Sequence, residues 1–282
     1  MSYRDLLLHI DTYPTPTTAA AIDEAVALTA SLGGKLTALA VEVDIPMRSN
    51  RLADYLIGLS AMADAEEARS RTACQNGLAL FTQAATAAGV FQATMSKKVN
   101  HYEVPDQVAT IARAFDLSIL PMAGGFDGQM EVADSVVFNS GRPVLIYRVG
   151  QAGRLARGMD LVVVAWDGSR SAARAMGDAL PILIGAKRVR LLTVLNEKPH
   201  AVSQLGEAAK RHLQVHGVSA TLDEVDAGGD KIGAVFDRYI KEHNPDLLVM
   251  GGYGHSRARE FMLGGATEHA LKDPACPVLL SH

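Results

Sequence analysis

The sequence predicts an α/β protein built twice over: two tandem open parallel five-stranded sheets flanked by helices. Three observations predict it. Short, continuous apolar strands alternate with Ala-rich helical patterns. A series of landmarks recurs in the same order in both halves. The 282 residues suit two domains at roughly 100–200 residues each.

The first half opens on Leu6-Leu-Leu-His-Ile-Asp11 and the second on Val162-Val-Val-Ala-Trp-Asp167, each an apolar run closed by aspartate. A polar stretch and an Ala-rich helical pattern follow, over 17–34 and 169–186. Second strands come next, Lys35–Val41 and Arg188–Val194. Each half then has an Asp-led strand, Asp116–Met122 and Asp246–Gly252. Each ends on a Pro-Val-Leu strand, Pro143–Tyr147 and Pro277–Ser281. Strands apolar at successive positions are buried on both faces, as in a parallel sheet covered by helices. The connector Gln151–Gly158 marks the boundary, giving domains over 1–150 and 158–282. The first half has a longer middle, roughly residues 47–90, where Leu52, Tyr55, Leu56 and Leu59 predict an extra amphipathic helix.

Composition narrows the function. A net charge of −4 gives no basic field to draw the chain to nucleic acid or anionic lipid. No apolar run approaches the ~18 residues of a membrane span, so neither partner is expected. Two cysteines, Cys74 and Cys276, are too few for a disulfide framework. The opening MSYRDLLLHID does not read as a signal peptide, since Asp5 and Asp11 bracket a short apolar stretch. The expectation is a cytoplasmic protein.

In open α/β sheets, ligands bind beyond the carboxyl ends of the strands. The fourth strand of the second half runs into Gly251-Gly-Tyr-Gly254-His255-Ser-Arg257-Ala-Arg259, then Gly264-Gly265-Ala266-Thr267. Gly251 and Gly254 let the backbone turn and approach a ligand without a Cβ in the way. Gly264 and Gly265 open a predicted helix, Ala266–Lys272, whose free amides and positive dipole end favour an anion. His255, Arg257 and Arg259 add positive charge. The plainer reading is a loop with a glycine-capped helix. The P-loop pattern G-x-x-x-x-G-K-[ST] is absent, and no G-x-G-x-x-G follows a first strand.

On these residues the sequence resembles the universal stress protein family, in tandem form, over nearly its whole length. The resemblance implies the adenine nucleotide alpha hydrolase-like fold. It also implies ATP-type binding in the second half, where Gly251, Gly254 and Gly264 match the family's G-x-x-G-x9-G-[ST] loop. By the same resemblance Asp167 holds the ribose and Val194 lies under the adenine, with Ala165 and Met250 at the neighbouring strand ends. Gly265 stands where the family has Ser or Thr, which removes a hydroxyl contact to phosphate; Thr267 is a substitute for part of it. The implied cofactor is ATP or another adenine nucleotide, with Mg2+ accompanying a triphosphate. The implied role is regulatory, in the stress response. In that family the last strand pairs two subunits. The two Pro-Val-Leu strands are therefore expected to meet within this chain, and a homodimer stays open through the extra helix.

The first half has lost the loop. Pro121-Met-Ala-Gly-Gly125 leads into a stretch carrying Asp127, Glu131 and Asp134, which would repel phosphate; Asp11 remains, with Pro14 and Pro16 beside it. This half is read as a structural partner without nucleotide. Other residues have plainer roles. Asp167, Ser169 or Ser171 can cap the following helix, and Trp166 reads as core before adenine platform. His212 and His216 have metal-pair spacing but no third ligand, which favours a solvated helix face. Cys276 reads as a buried small hydrophobe, and Lys97 and Lys98 as a solvated strand end. No nucleophile–base–orienter series is evident. Two rivals stay open: a slow ATPase or nucleotidyl transferase, and an interaction module without ligand.

Overall fold

The computed structural model describes residues 2–46, 58–123, 127–151, 156, 158–195, 204–252 and 274–282. The first half contributes β1 (Asp5–Ile10), α1 (Ala19–Leu32), β2 (Lys35–Asp44), α2 (Leu59–Ala87), β3 (Phe91–Asn100), α3 (Val104–Ala112), β4 (Leu117–Met122), α4 (Asp127–Asn139) and β5 (Val144–Arg148). The second contributes β6 (Leu161–Ala165), α5 (Arg170–Gly185), β7 (Arg188–Leu195), α6 (Gln204–Val215), β8 (Ala220–Asp226), α7 (Ile232–His243), β9 (Leu247–Gly251) and β10 (Val278–Ser281).

The expected alternation is present, and the two sheets join. One 10-stranded sheet runs in the order β3-β2-β1-β4-β5-β10-β9-β6-β7-β8. Within each half every pairing is parallel. At the centre β5 and β10 pair antiparallel, with Val278 opposite Ile146, Leu279 opposite Leu145 and Leu280 opposite Val144. An unpaired apolar edge strand templates association; here each half's last strand covers the other's. The described sheet edges are β3 and β8. On β3, Lys98 forms ion pairs with Asp44 and Glu67 at 2.8 Å each, and Lys97 donates to Gln107 Oε1 at 2.5 Å. These lysines blunt an edge, a more specific role than a solvated strand end.

A hydrophobic core covers each face of the sheet. One gathers Leu6, Leu8, Phe81, Val162, Val164 and Leu279 under α1, α2 and α5. The other gathers Leu7, Leu39, Val163, Leu192, Met250 and Leu280 under α3, α4 and α7. The alternation of successive strand residues between two cores is why the strands read as unbroken apolar runs. Helix ends follow local chemistry. Thr18 caps α1 by accepting from the Ala21 amide, and Gly33 ends it in the left-handed region at φ 70°. The longer middle of the first half contains a long helix. It covers Leu59–Ala87, while Leu52, Tyr55 and Leu56 fall outside the described residues.

The Asp-led strands acquire a physical reason. Asp116 Oδ2 accepts from the amides of Arg4 and Asp5 at 2.9 and 3.1 Å. Asp246 Oδ2 does the same for Asp160 and Leu161 at 2.7 and 3.0 Å. In both halves this aspartate ties the start of the fourth strand to the start of the first.

Candidate functional site

The strand order puts β6 between β9 and β7, so the chain leaves β6 toward one neighbour while the other is reached later. Such a reversal opens a crevice at the carboxyl ends of the strands. Ala165 ends β6 and Gly251 ends β9, on the two sides of that crevice. Val194 lies near the end of β7, opposite Val225 of β8. Ala165, Val194, Val225 and Ile232 are partly exposed apolar residues packed on the second core. They form an apolar floor at the strand ends. Met250 is 4% exposed, so its side chain belongs to the core beneath that floor. Trp166 packs on the first core, on the opposite face from Val194, which is the core role expected of it.

Asp167 follows in a tight turn. Gly168 takes the left-handed conformation at φ 72°, and Asp167 Oδ1 accepts from the Ser169 amide at 2.9 Å. The cap of α5 is Ser169, whose Oγ accepts from the Ala172 amide at 3.1 Å. Asp167 is therefore not the helix cap. It is an exposed carboxylate at the mouth of the crevice.

Gly251 is crowded by its own half. A Cβ there would stand 2.5 Å from the Ala172 nitrogen and the Ser171 carbonyl carbon, and 2.8 Å from Ser171 Oγ. Its missing side chain lets the start of α5 sit against the end of β9, a packing demand beyond the approach of a ligand. Gly252 is buried and donates to the Ser281 carbonyl at 2.7 Å. The remaining expected site residues, Gly254, His255, Arg257, Gly264, Gly265, Ala266 and Thr267, lie outside the described residues, as does Arg259.

The corresponding place in the first half is filled by the protein itself. His9 stands where the second half has Ala165, and is 4% exposed. Its Nε2 lies 3.1 Å from Asp11 Oδ1. Asp11 Oδ2 accepts from Gln129 Nε2 at 2.6 Å, and Gln129 Oε1 accepts from the Ala123 amide at 2.8 Å. The first turn of α4 is thereby drawn onto the aspartate. Val41, the counterpart of Val194, is 2% exposed. Beside it, Ser70 of α2 accepts from the Val43 amide at 3.0 Å and bonds Thr12 Oγ1 at 2.7 Å. Where the second half has an apolar floor, the first has a packed helix and side-chain contacts that occupy its aspartate. Gln129 gave no signal in the sequence; His9 in the register of Ala165 was the available one.

Other polar groups are structural. His212 and His216 are exposed with ring centroids 4.8 Å apart, and no group of three metal-ligating side chains exists among the described residues. Arg190 Nη1 pairs with Asp223 Oδ2 at 2.9 Å, and the Tyr239 hydroxyl donates to the same carboxylate. Burial, then Asp223, pushes the Tyr239 phenol up to about 12. This cluster fastens β7, β8 and α7 together. Burial likewise pushes the Cys276 thiol up to about 12, so it is an inert apolar group. No helix among the described residues is long and apolar enough to cross a membrane.

Comparison with known proteins agrees with this architecture. The universal stress protein family model matches residues 159–282. A curated universal stress protein of Synechocystis sp. is 31% identical over 121 residues, which is 42% of this chain and 41% of that protein. The chain therefore matches about two fifths of the length of that relative. Among solved structures, a universal stress protein from Archaeoglobus fulgidus superposes with a TM-score of 0.69 at 15% identity, covering 99% of this chain and 97% of its own. A putative universal stress protein from Pseudomonas aeruginosa gives 0.53 at 14% identity, covering 99% and 93%. Both likenesses show a shared fold across both halves. Residues 159–282 carry a universal stress protein domain, and the chain as a whole shares the fold of universal stress proteins.

Proposed function

We propose that the second half binds one ATP or related adenine nucleotide as a regulatory ligand in a stress response, and that the first half binds none. One observation carries the reading: an apolar floor and an exposed carboxylate meet at the crevice beside the strand that leads into the glycine loop. The flat, apolar adenine fits the floor of Ala165, Val194 and Val225. The ribose hydroxyls suit Asp167 as acceptor. The phosphates would fall to Gly254 and to residues 264–267, where backbone amides and the charges of His255 and Arg257 favour an anion. Mg2+ would accompany a triphosphate by neutralising its oxygens.

The first half supports the single stoichiometry, since its aspartate is already engaged by His9 and Gln129. A regulatory rather than catalytic role rests on the chemistry available. Asp167 is suited to accept hydroxyl hydrogen bonds from a ribose, which supports positioning of a ligand rather than base catalysis. The same fold and composition suit a cytoplasmic chain acting without nucleic acid or membrane. The two halves form a pseudo-two-fold unit in place of a two-subunit dimer.

Denaturing the purified chain and weighing the released small molecules by mass spectrometry tests the reading. An adenine nucleotide is expected from the native chain and not from Gly264→Val, whose branched side chain would occupy phosphate space. A native chain that carries no nucleotide and takes none up from millimolar ATP would overturn it. It would favour the interaction-module reading that Gly265 keeps in view.

A further inference from the structure

We infer that Val137 and Phe138, in the first half, position the entrance of the glycine loop in the second, acting through Gly252 and His282. The inference rests on the nucleotide reading for its consequence, but its geometry stands apart from it. Gly252 is the last described residue before the loop. It is held from three sides. Its amide donates to the Ser281 carbonyl at 2.7 Å. Its carbonyl lies 2.9 Å from His282 Nδ1; a carbonyl only accepts, so Nδ1 carries the proton and donates. A Cβ on Gly252 would come within 2.8 Å of Val137 Cγ1, so α4 of the first half lies directly against its backbone.

The His282 ring is braced in turn. It meets Phe138 with centroids 5.0 Å apart and planes at 66°, an edge-on contact within the favoured range for aromatic pairs. The contact crosses between halves, from the last turn of α4 to the residue after β10. The two glycines that precede the loop are thus clamped on opposite faces of the sheet. Gly251 is pressed by α5 of its own half, and Gly252 by α4 of the other. The half that lacks a glycine loop supplies one jaw of the clamp on the half that has one. Nucleotide on the loop and packing of α4 then bias each other, because coupling between two sites is reciprocal.

The test uses the full chain with Phe138→Ala, His282→Ala, the double variant and Phe138→Tyr. ATP affinity is read by titration calorimetry. Amide exchange of peptides spanning 247–260 is read by mass spectrometry in the nucleotide-free protein. Each alanine variant should weaken ATP binding on the order of three- to tenfold, as loss of one aromatic contact implies. The double variant should cost little more than His282→Ala alone, which already removes the ring contact together with the hydrogen bond to Gly252. Phe138→Tyr, which keeps the ring, should bind as the native chain does. Exchange should quicken at 247–260 in the alanine variants and not at β1 or β2. Native affinity in both alanine variants would overturn the inference. If the native chain binds no nucleotide, the functional reading fails separately. The exchange data then decide the positioning claim: faster exchange upholds it and unchanged exchange refutes it.

Discussion

Substituting alanine at Gly251 separates the two demands on that residue. The added Cβ would stand 2.5 Å from two backbone atoms of α5, Ala172 N and Ser171 C. An ordinary carbon contact begins near 3.5 Å, so something must give by about 1 Å. The obstructing atoms are backbone, so no side chain can rotate away. Moving the helix start disturbs the bond between Ser169 Oγ and the Ala172 amide, which is 3.1 Å long. Overpacking of a tight core costs about 1–3 kcal/mol, and weakening a cap costs about 1 kcal/mol. The expected loss is therefore about 2–4 kcal/mol, present without any nucleotide. Urea denaturation of the ligand-free native chain and variant measures it. A variant within about 0.5 kcal/mol of the native chain would refute the packing account. Gly251 would then be explained by ligand approach alone.

Three further predictions follow from the same contacts. Gly177 is an exposed interior residue of α5 with open space where its Cβ would be; Gly177→Ala should raise stability by about 0.5–1 kcal/mol in the same assay. Tyr147 is fully buried and its hydroxyl donates to the Ala21 carbonyl at 2.6 Å, so Tyr147→Phe should cost about 1 kcal/mol through loss of that hydrogen bond. The Lys98 hydrogen bond, then the Ile45 amide, holds the Glu67 carboxyl below its usual range. A depressed carboxylate contributes stability above its unfolded pKa and loses it as pH falls through the folded value. Glu67→Gln should therefore melt lower than the native chain at pH 7, and the gap should close in the acid range below the usual carboxylate value.

What the sequence disclosed and what it hid divide along contact range. The parallel sheet was legible because strands buried on both faces are apolar at every step, as in Leu6-Leu-Leu and Val162-Val-Val. The joining of the halves was legible because two apolar terminal strands invited pairing. The Asp-led strands were visible as a pattern, but not their purpose, because Asp116 acts on amides more than a hundred residues away. Asp11 was legible as the positional match of Asp167, in a half read as lacking nucleotide. Its capture by Gln129 spans 118 positions, and no local spacing announces such a contact. Gly251 was read as serving a ligand when the start of α5 already requires it. Met250, expected at the site by the family resemblance, has its side chain in the core. The extra helix was expected from the spacing of Leu52, Tyr55, Leu56 and Leu59; of these only Leu59 lies among the described residues, where it opens α2.

Titrating ATP into the ligand-free full chain by calorimetry, with Asp167→Ala and Asp11→Ala beside it, tests the central claim most directly. The account predicts one nucleotide per chain. Affinity should fall on the order of tenfold or more in Asp167→Ala, through the loss of charge-assisted hydrogen bonds to the ribose. It should be unchanged in Asp11→Ala, whose carboxylate serves only its own half. Two sites per chain, or one site lost with Asp11 and kept without Asp167, would contradict it.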